Sequence, residues 1–460
     1  MPPQIASCVF ICVIVGLFWL DQEREAQTSK ALILPLIWLW QNSSRSFAEW
    51  AAILGFMPKA SSSQAERYVD GNPLDRDILI CLMIAAIIVL IKRGRLGGLL
   101  KANLPVVVYL VCAVLTALWS DFPDVTIRRW FKAVGCLLMV LVVLSERDRS
   151  AAVRRLFVGA GFLLIPHSIL LIKYYPAIGR TYNRWTYLVS YVGVTSHKNE
   201  LGGICQAYGI AFVWHFLAAY QNRRLMHRKR HLIAHGAAIV MVLYLFWLAN
   251  SVTAQSTFLL ASCFLVASGT RLVSRNRGLV HVLMFLLLAV PFATLFLGVG
   301  GSALEGMGRD STLTGRTDIW ARVIGLNDNP LFGTGFESFW LGRRLAAMNR
   351  YQLGLNEAHN GYIEVWISLG WIGVVSLGAM IVKGYRNLSA SYRENPEEGR
   401  FRLALFLAVI VSSFTEAAFR TDGISLTAFL MMTMAGTQVP LRRIVRSPVL
   451  TRASLRPNAA

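Results

Sequence analysis

Apolar residues in this chain of 460 run in long, nearly uninterrupted blocks, and few folds can accommodate blocks of that length. No water in a bilayer core can satisfy a backbone amide, so such blocks fold as helices that bond their own backbone. Crossing about 30 Å of hydrocarbon takes about 20 residues, fewer where interfacial side chains snorkel. Twelve stretches approach that length: 5–20, 78–91, 103–119, 130–144, 153–172, 201–220, 232–249, 252–268, 279–299, 361–382, 402–418 and 423–440. With 15% charged residues, the chain falls well below the roughly quarter typical of soluble proteins, which excludes a cytosolic globular enzyme, a disordered chain and a fibrous one. The expectation is an all-α, polytopic integral membrane protein of about 12 transmembrane helices.

A formal charge of +21 would ordinarily suggest nucleic acid, but its placement argues otherwise. The connections 92–101, 145–155, 221–231, 270–278 and 383–402, with the tail from 441, hold 26 of the 46 Lys and Arg against five Asp and Glu. Every second connection is thus basic, as expected of loops held on the cytoplasmic side, where they also meet anionic lipid. The lipid bilayer is the partner this charge implies, and nucleic acid is not. The organisation that follows is residues 1–299 with most of the helices and outer loops at 21–77 and 173–200. An outer loop at 300–360, closing helices at 361–440 and a basic cytoplasmic tail at 441–460 complete it. The segment 31–57 contains ALILPLIWLW with Pro35 inside it, about 15 Å as a helix, and reads as re-entrant or interfacial, which leaves both termini cytoplasmic.

The helix interiors are poor in ionisable groups, where a transporter or proton pump would place them. His167, His215 and His235 are exceptions, with Glu364 and Glu416 near outer helix ends. His227, His231 and His235 follow at four-residue spacing and could face one metal. They sit beside Arg228, Lys229 and Arg230 with no carboxylate in sequence, so they read as a juxtamembrane basic stripe. No CxxC spacing occurs, and all seven cysteines fall inside apolar stretches, which speaks against disulfides and thiolate metal sites in the outer loops.

Chemistry therefore belongs to the outer loops, above all to 300–360, far longer than an ordinary helix connection. Within it, STLTGRTDIWARVIGL (311–326) has Thr314 or Gly315 as a possible cap, and Ile319, Trp320, Val323, Ile324 and Leu326 at helical spacing. That predicts an amphipathic helix on the membrane surface, with Arg316 at its N-terminal end. There the helix dipole favours an anion and a guanidinium adds a bidentate grip on phosphate; an arginine snorkelling to headgroups fits the spacing equally well. PLFGTGF (330–336) reads as a glycine turn. His359 stands at the mouth of the next helix with Asn360 beside it and Glu357 and Glu364 near, carboxylates expected to hold its pKa near working pH, as a general base requires. The loop 173–200 mixes cations and tyrosines, as a sugar-phosphate site or an aromatic belt would. Asp75-Arg76-Asp77 reads as helix-start acid rather than a divalent-metal site.

GRTDIW (315–320), PLFGTGFESF (330–339) and AHNGYIEVWISLGWIG (358–373) together resemble the core of the O-antigen ligase and Wzy-type polymerase superfamily. ALILPLIWLWQNSSRS, NPLDRDI, WSDFPDVTIRRW, LIKYYPAIGRTY and TSHKNELGGIC are similar to the ExoQ-type exopolysaccharide polymerase branch. The resemblance implies a GT-C-like fold in the bacterial inner membrane, C-terminus cytoplasmic and active site periplasmic. It also implies a metal-independent glycosyltransferase without cofactor. Such an enzyme would polymerise undecaprenyl-diphosphate-linked oligosaccharide alongside a repeat-unit flippase and a chain-length co-polymerase. It puts the catalytic groups at His359 and Arg316, and substrate binding at Arg180, Arg184 or Lys198. Asn360 joins these, as does Arg322, which precedes Gly333 by the eleven residues common in such polymerases. A ligase moving finished glycan to lipid A core or protein is the alternative of the same class, and a flippase or exporter that of another.

Overall fold

The computed structural model describes residues 1–22, 28–58, 71–182, 188–297, 316–351 and 355–436. Among these the regular structure is helical, apart from the three-residue antiparallel strands Arg180–Tyr182 and Val189–Tyr191. The chain is an all-α polytopic membrane protein, and each of the twelve apolar stretches overlaps a helix among the described residues. Large apolar side chains such as Val240, Trp247, Phe285, Val290 and Val375 point outward, where a soluble protein would place polar ones.

Helix ends follow local chemistry. Asn72 accepts from the Leu74 amide ahead of Pro73, and Gly94 closes the same helix in the left-handed region. Asp148 caps Arg149–Tyr174, and Asn395 with Pro396 opens Pro396–Ser412.

Among the described residues six helices qualify as membrane spans by length and apolarity, or seven when Leu96–Ala102 and Leu104–Leu118, bent by 88°, are taken as one broken span. The expected twelve exceeds this because Val252–Ser268 and Pro396–Ser412 have 17 residues and Ile424–Thr433 has ten, while Pro73–Arg93 and Pro123–Leu144, at 21 and 22 residues, carry charged side chains at their ends. Pro396–Ser412 and Ile424–Thr433 are buried along almost their whole length. Protein rather than lipid surrounds them, so bilayer thickness does not dictate how long they are.

Hydrogen bonds sort the helix termini into two ends of the bundle. At one, Arg93 pairs with Glu146 and donates to Ser145 Oγ (2.6 Å), Ser150 bonds Glu398, and Asn103 exchanges bonds with the Ala435 backbone. These contacts join the basic connections 92–101, 145–155 and 383–402, which the charge pattern had grouped. At the other end, Arg45 donates to the carbonyls of Ile178 (2.7 Å) and Gly193 (2.8 Å), and the Ala48 amide to Asp75 (3.0 Å).

This sorting corrects the reading of 31–57 as re-entrant. Ser29 Oγ bonds Glu146 (2.6 Å) at the first end while Arg45 lies at the second, so Lys30–Gln41 passes between them. Ser7 Oγ meets Tyr175 OH (2.9 Å), which sets the N-terminus at the Arg45 end and not beside the basic loops. Twelve residues, ten of them apolar, suffice because Trp38 and Leu39 are fully buried in the bundle, with the Trp38 indole N–H on Cys136 Sγ. The tail 441–460 lies outside the described residues.

The segment from Arg316 to Asn360 is built onto a broken helix. Gly361–Glu394 has one non-helical residue, Gly370 (φ 62°, ψ −161°), where the ladder opens. The glycine turn 330–336 fills the opening: Trp371 N donates to Pro330 O (3.0 Å), Thr334 N to Ile367 O (2.9 Å) and Gly335 N to Ser368 O (3.1 Å). A Cβ at Gly370 would lie 2.2 Å from the Leu331 carbonyl carbon, and one at Gly333 2.4 Å from the Leu369 amide, so neither position accepts a side chain.

Candidate active site

Arg316–Gly325 is a helix, as its spacing predicts. Its apolar face does not lie on lipid: Ile319, Trp320 and Val323 pack with Phe339, Trp340 and Met348 in a small second core. Ile324, expected on that face, is exposed. The capping positions Thr314 and Gly315 lie outside the described residues.

This core fixes the backbone that carries His359. Trp320 Nε1 donates to Ala358 O (2.8 Å), and buried Glu364 accepts the Ala358 amide and the Trp340 indole N–H (3.1 Å). Asn360 accepts from the Tyr362 and Ile363 amides (3.0 and 3.1 Å) and donates to Phe414 O (3.2 Å). It is a buried helix cap, which corrects its assignment to substrate binding. Between these anchors His359 adopts φ 51°, a left-handed conformation uncommon for a side-chain-bearing residue and worth a functional reading.

His359 Nδ1 lies 2.8 Å from Glu357 Oε1, a close charge contact, and 3.8 Å from Glu416 Oε2. The other oxygen of Glu416 is 3.4 Å from Arg316 Nη2, and Nη1 of the same guanidinium donates to Thr415 O. Glu416 therefore bridges the two predicted catalytic residues. Burial alone would lower the His359 pKa, but Glu357 and Glu416 outweigh it and raise it to about 9. Where the sequence led to a pKa near working pH, the two carboxylates favour the protonated imidazole. Burial likewise works against the charge of Glu357, yet His359 and Arg420 leave its pKa below the ordinary carboxylate value.

A third basic centre comes from the turn after Pro396–Ser412. Arg420 donates to Asn356 O (2.9 Å) and lies 3.9 Å from Glu357 and 3.3 Å from Asp422. Arg129 (3.2 Å) and Lys132 (3.0 Å) reach Asp422 from Pro123–Leu144. Burial opposes its ionisation, but Lys132, Arg129 and Arg420 hold the Asp422 carboxyl well below the usual range. Sequence reading passed over Arg420 and Asp422 because they sit between two apolar stretches. The signal was the run TEAAFRTD (415–422), three charged residues in so short a connection.

His359, Glu357, Glu416, Arg420 and Asp422 line a cavity of about 640 Å³, together with Arg45, His197 and Lys198. Of the predicted binding residues, Lys198 reaches this cavity directly; Arg316, predicted as catalytic, adjoins it through Glu416. Arg180 does not: its Nε donates to Ile172 O (2.9 Å) and its guanidinium stacks on Tyr191, although Thr181 and Ser190 of the same hairpin line the wall. Arg322 is exposed and stacked 4.0 Å from the Tyr351 ring centre, away from the cavity lining. Arg184 lies outside the described residues. The ligand atoms of Glu357, His359 and Glu416 fall within 4.8 Å of one another, close enough for a cation. Arg316 and Arg420 already approach those two carboxylates, so the cluster carries its own positive charge.

Residues 237–378, which include Arg316 and His359, match the O-antigen ligase family. The chain is also similar to the exopolysaccharide production protein ExoQ of Rhizobium meliloti (strain 1021), 25% identical over 317 residues covering 65% of this chain and 68% of that protein. The two matches support the resemblance read from the outer-loop motifs.

Proposed function

We propose that this relative of the O-antigen ligase and ExoQ proteins is a glycosyltransferase that polymerises oligosaccharide repeats carried on undecaprenyl diphosphate. The observation that carries the reading is the convergence of Arg316, His359 and Arg420 through Glu416 and Glu357 on one cavity that Lys198 also lines. Cations matched by carboxylates suit a charged ligand that exchanges places with those carboxylates as it binds.

In the reaction the anomeric carbon–oxygen bond to the lipid diphosphate breaks and a bond to the acceptor hydroxyl forms. The lipid diphosphate leaves as an anion and the hydroxyl gives up a proton. The developing phosphate charge is what fixed cations stabilise, Arg316 by a forked pair of hydrogen bonds and protonated His359 by its charge. With a pKa of about 9, His359 is neutral in only about one molecule in a hundred at pH 7. Electrostatic stabilisation is therefore its role, and the hydroxyl proton goes to Glu357 or Glu416. A diphosphate is a good leaving group, so this base need not be strong. The bilayer holds both lipid-linked partners at one surface, which supplies proximity. The reading sets the His359 end of the bundle at the periplasmic face of the inner membrane, with the basic loops in the cytoplasm.

The name of the matched family favours one second reading, a ligase that delivers finished glycan to another acceptor. Purified protein given lipid-linked repeat units and nothing else separates the two. Chain growth supports the polymerase, and growth only after lipid A core or protein is added supports the ligase. Turnover of neither kind removes both.

A further inference from the structure

The opposite end of the bundle holds a second cluster that the proposed reaction does not use. Asp21, just past the helix Pro3–Leu20, presents Oδ1 to His231 Nδ1 (2.8 Å) and His235 Nε2 (2.9 Å). The carboxylate missing from the sequence around the histidines thus comes from another helix, which corrects their reading as a basic stripe. His227 stands apart, outside the trio, in a left-handed conformation at the helix start.

The three ligand atoms lie within 4.8 Å of one another, and His231 and His235 are 6% and 1% exposed. His235 stacks on His215 with ring centres 4.9 Å apart, and buried His235 Nδ1 has no hydrogen-bond partner. Both ligand histidines border a cavity of about 290 Å³, whose charged lining sets Asp148, Glu397 and Glu398 against Arg154. That balance draws cations, and the space leaves room for a water to complete a coordination shell. Pro3–Leu20 buries only Ala6 and Leu17, so apolar packing holds this helix weakly.

We infer that Asp21, His231 and His235 form a divalent-metal site of the zinc class, which fastens the N-terminal helix to Arg228–Ala249. Two imidazoles and one carboxylate at i, i+4 and across an interface are a borderline N/O donor set, suited to Zn²⁺ with a water in the fourth position. A tetrahedral ion with bonds of about 2.0–2.2 Å would part the present contacts by roughly half an ångström. The site is independent of glycosyl transfer at the other end.

The test is zinc titration of untagged, chelator-stripped protein in detergent, with metal content and melting temperature both measured. The wild type should take up about one saturable zinc per chain with a rise in melting temperature. Asp21→Asn and His235→Gln should lose both, while His359→Gln keeps both. Zinc uptake by the wild type below about a tenth of an equivalent overturns the proposal, as does full retention in Asp21→Asn and His235→Gln. Should those two variants fail to insert, the wild type and His359→Gln decide together: uptake kept in both supports the site, and uptake lost in His359→Gln or missing from the wild type overturns it.

Discussion

Histidines meet carboxylates at both ends of this bundle, but the two meetings are built differently. His231 and His235 stand one turn apart on a continuous helix, and a single residue, Asp21, joins them from another. His359, Glu357, Glu416, Arg316 and Arg420 come mostly from turns and helix starts, with His359 held in a left-handed conformation. The first arrangement suits a fixed joint bordering about 290 Å³, and the second an exchangeable charge cluster facing about 640 Å³. Side chains on regular helix are held passively. The loop site instead needs its own scaffold, supplied by Glu364, Trp320, Asn360 and the insertion at Gly370.

The largest effect that would sharpen this contrast lies at Arg316. Arg316→Gln is expected to lower polymer formation by about 100- to 1,000-fold, and Arg316→Lys by less, because charge survives without the fork. Initial rates on lipid-linked substrate measure both, and equal losses would contradict a bidentate role. Next comes pH. If protonated His359 is the working form, the rate should hold up to about pH 9 and then fall tenfold per unit. A rate that instead climbs toward pH 9 would make the neutral imidazole the base. The same shift bears on stability: with its folded pKa raised, His359 contributes fully below about pH 6.5 and loses that contribution as pH rises through about 9. Glu357→Gln should move the rate limb to lower pH by removing the nearest carboxylate.

A smaller effect tests the scaffold. Gly370→Ala should cost about 2–4 kcal/mol, since the residue is left-handed and its Cβ would meet backbone. Thermal melting in detergent reads it, and an unchanged midpoint would remove the insertion from the account. The smallest is Arg322→Ala, whose stacking on Tyr351 away from the cavity predicts a rate within about twofold of wild type.

The helices were legible because an apolar block in lipid can form little else, and His359 and Arg316 stood out as candidates because they punctuate the longest connection expected from the sequence. Partnerships across the chain were not. Nothing near His231 in sequence announces Asp21, and nothing near Arg316 announces Glu416, a hundred residues on. Lys30–Gln41 was misread because lipid-based length counting does not apply to a helix walled in by protein, and Asn360 because an asparagine beside a catalytic histidine caps helices as readily as it binds sugars. The His359 pKa was misjudged because a second carboxylate, Glu416, arrives from a distant turn and lifts it beyond working pH.

The most direct test compares His359→Gln with His235→Gln, each reconstituted in bilayers with undecaprenyl-diphosphate-linked repeat units. The account predicts that His359→Gln inserts and folds but makes no polymer, while His235→Gln polymerises within about twofold of wild type. Polymer from His359→Gln at the wild-type rate would contradict it.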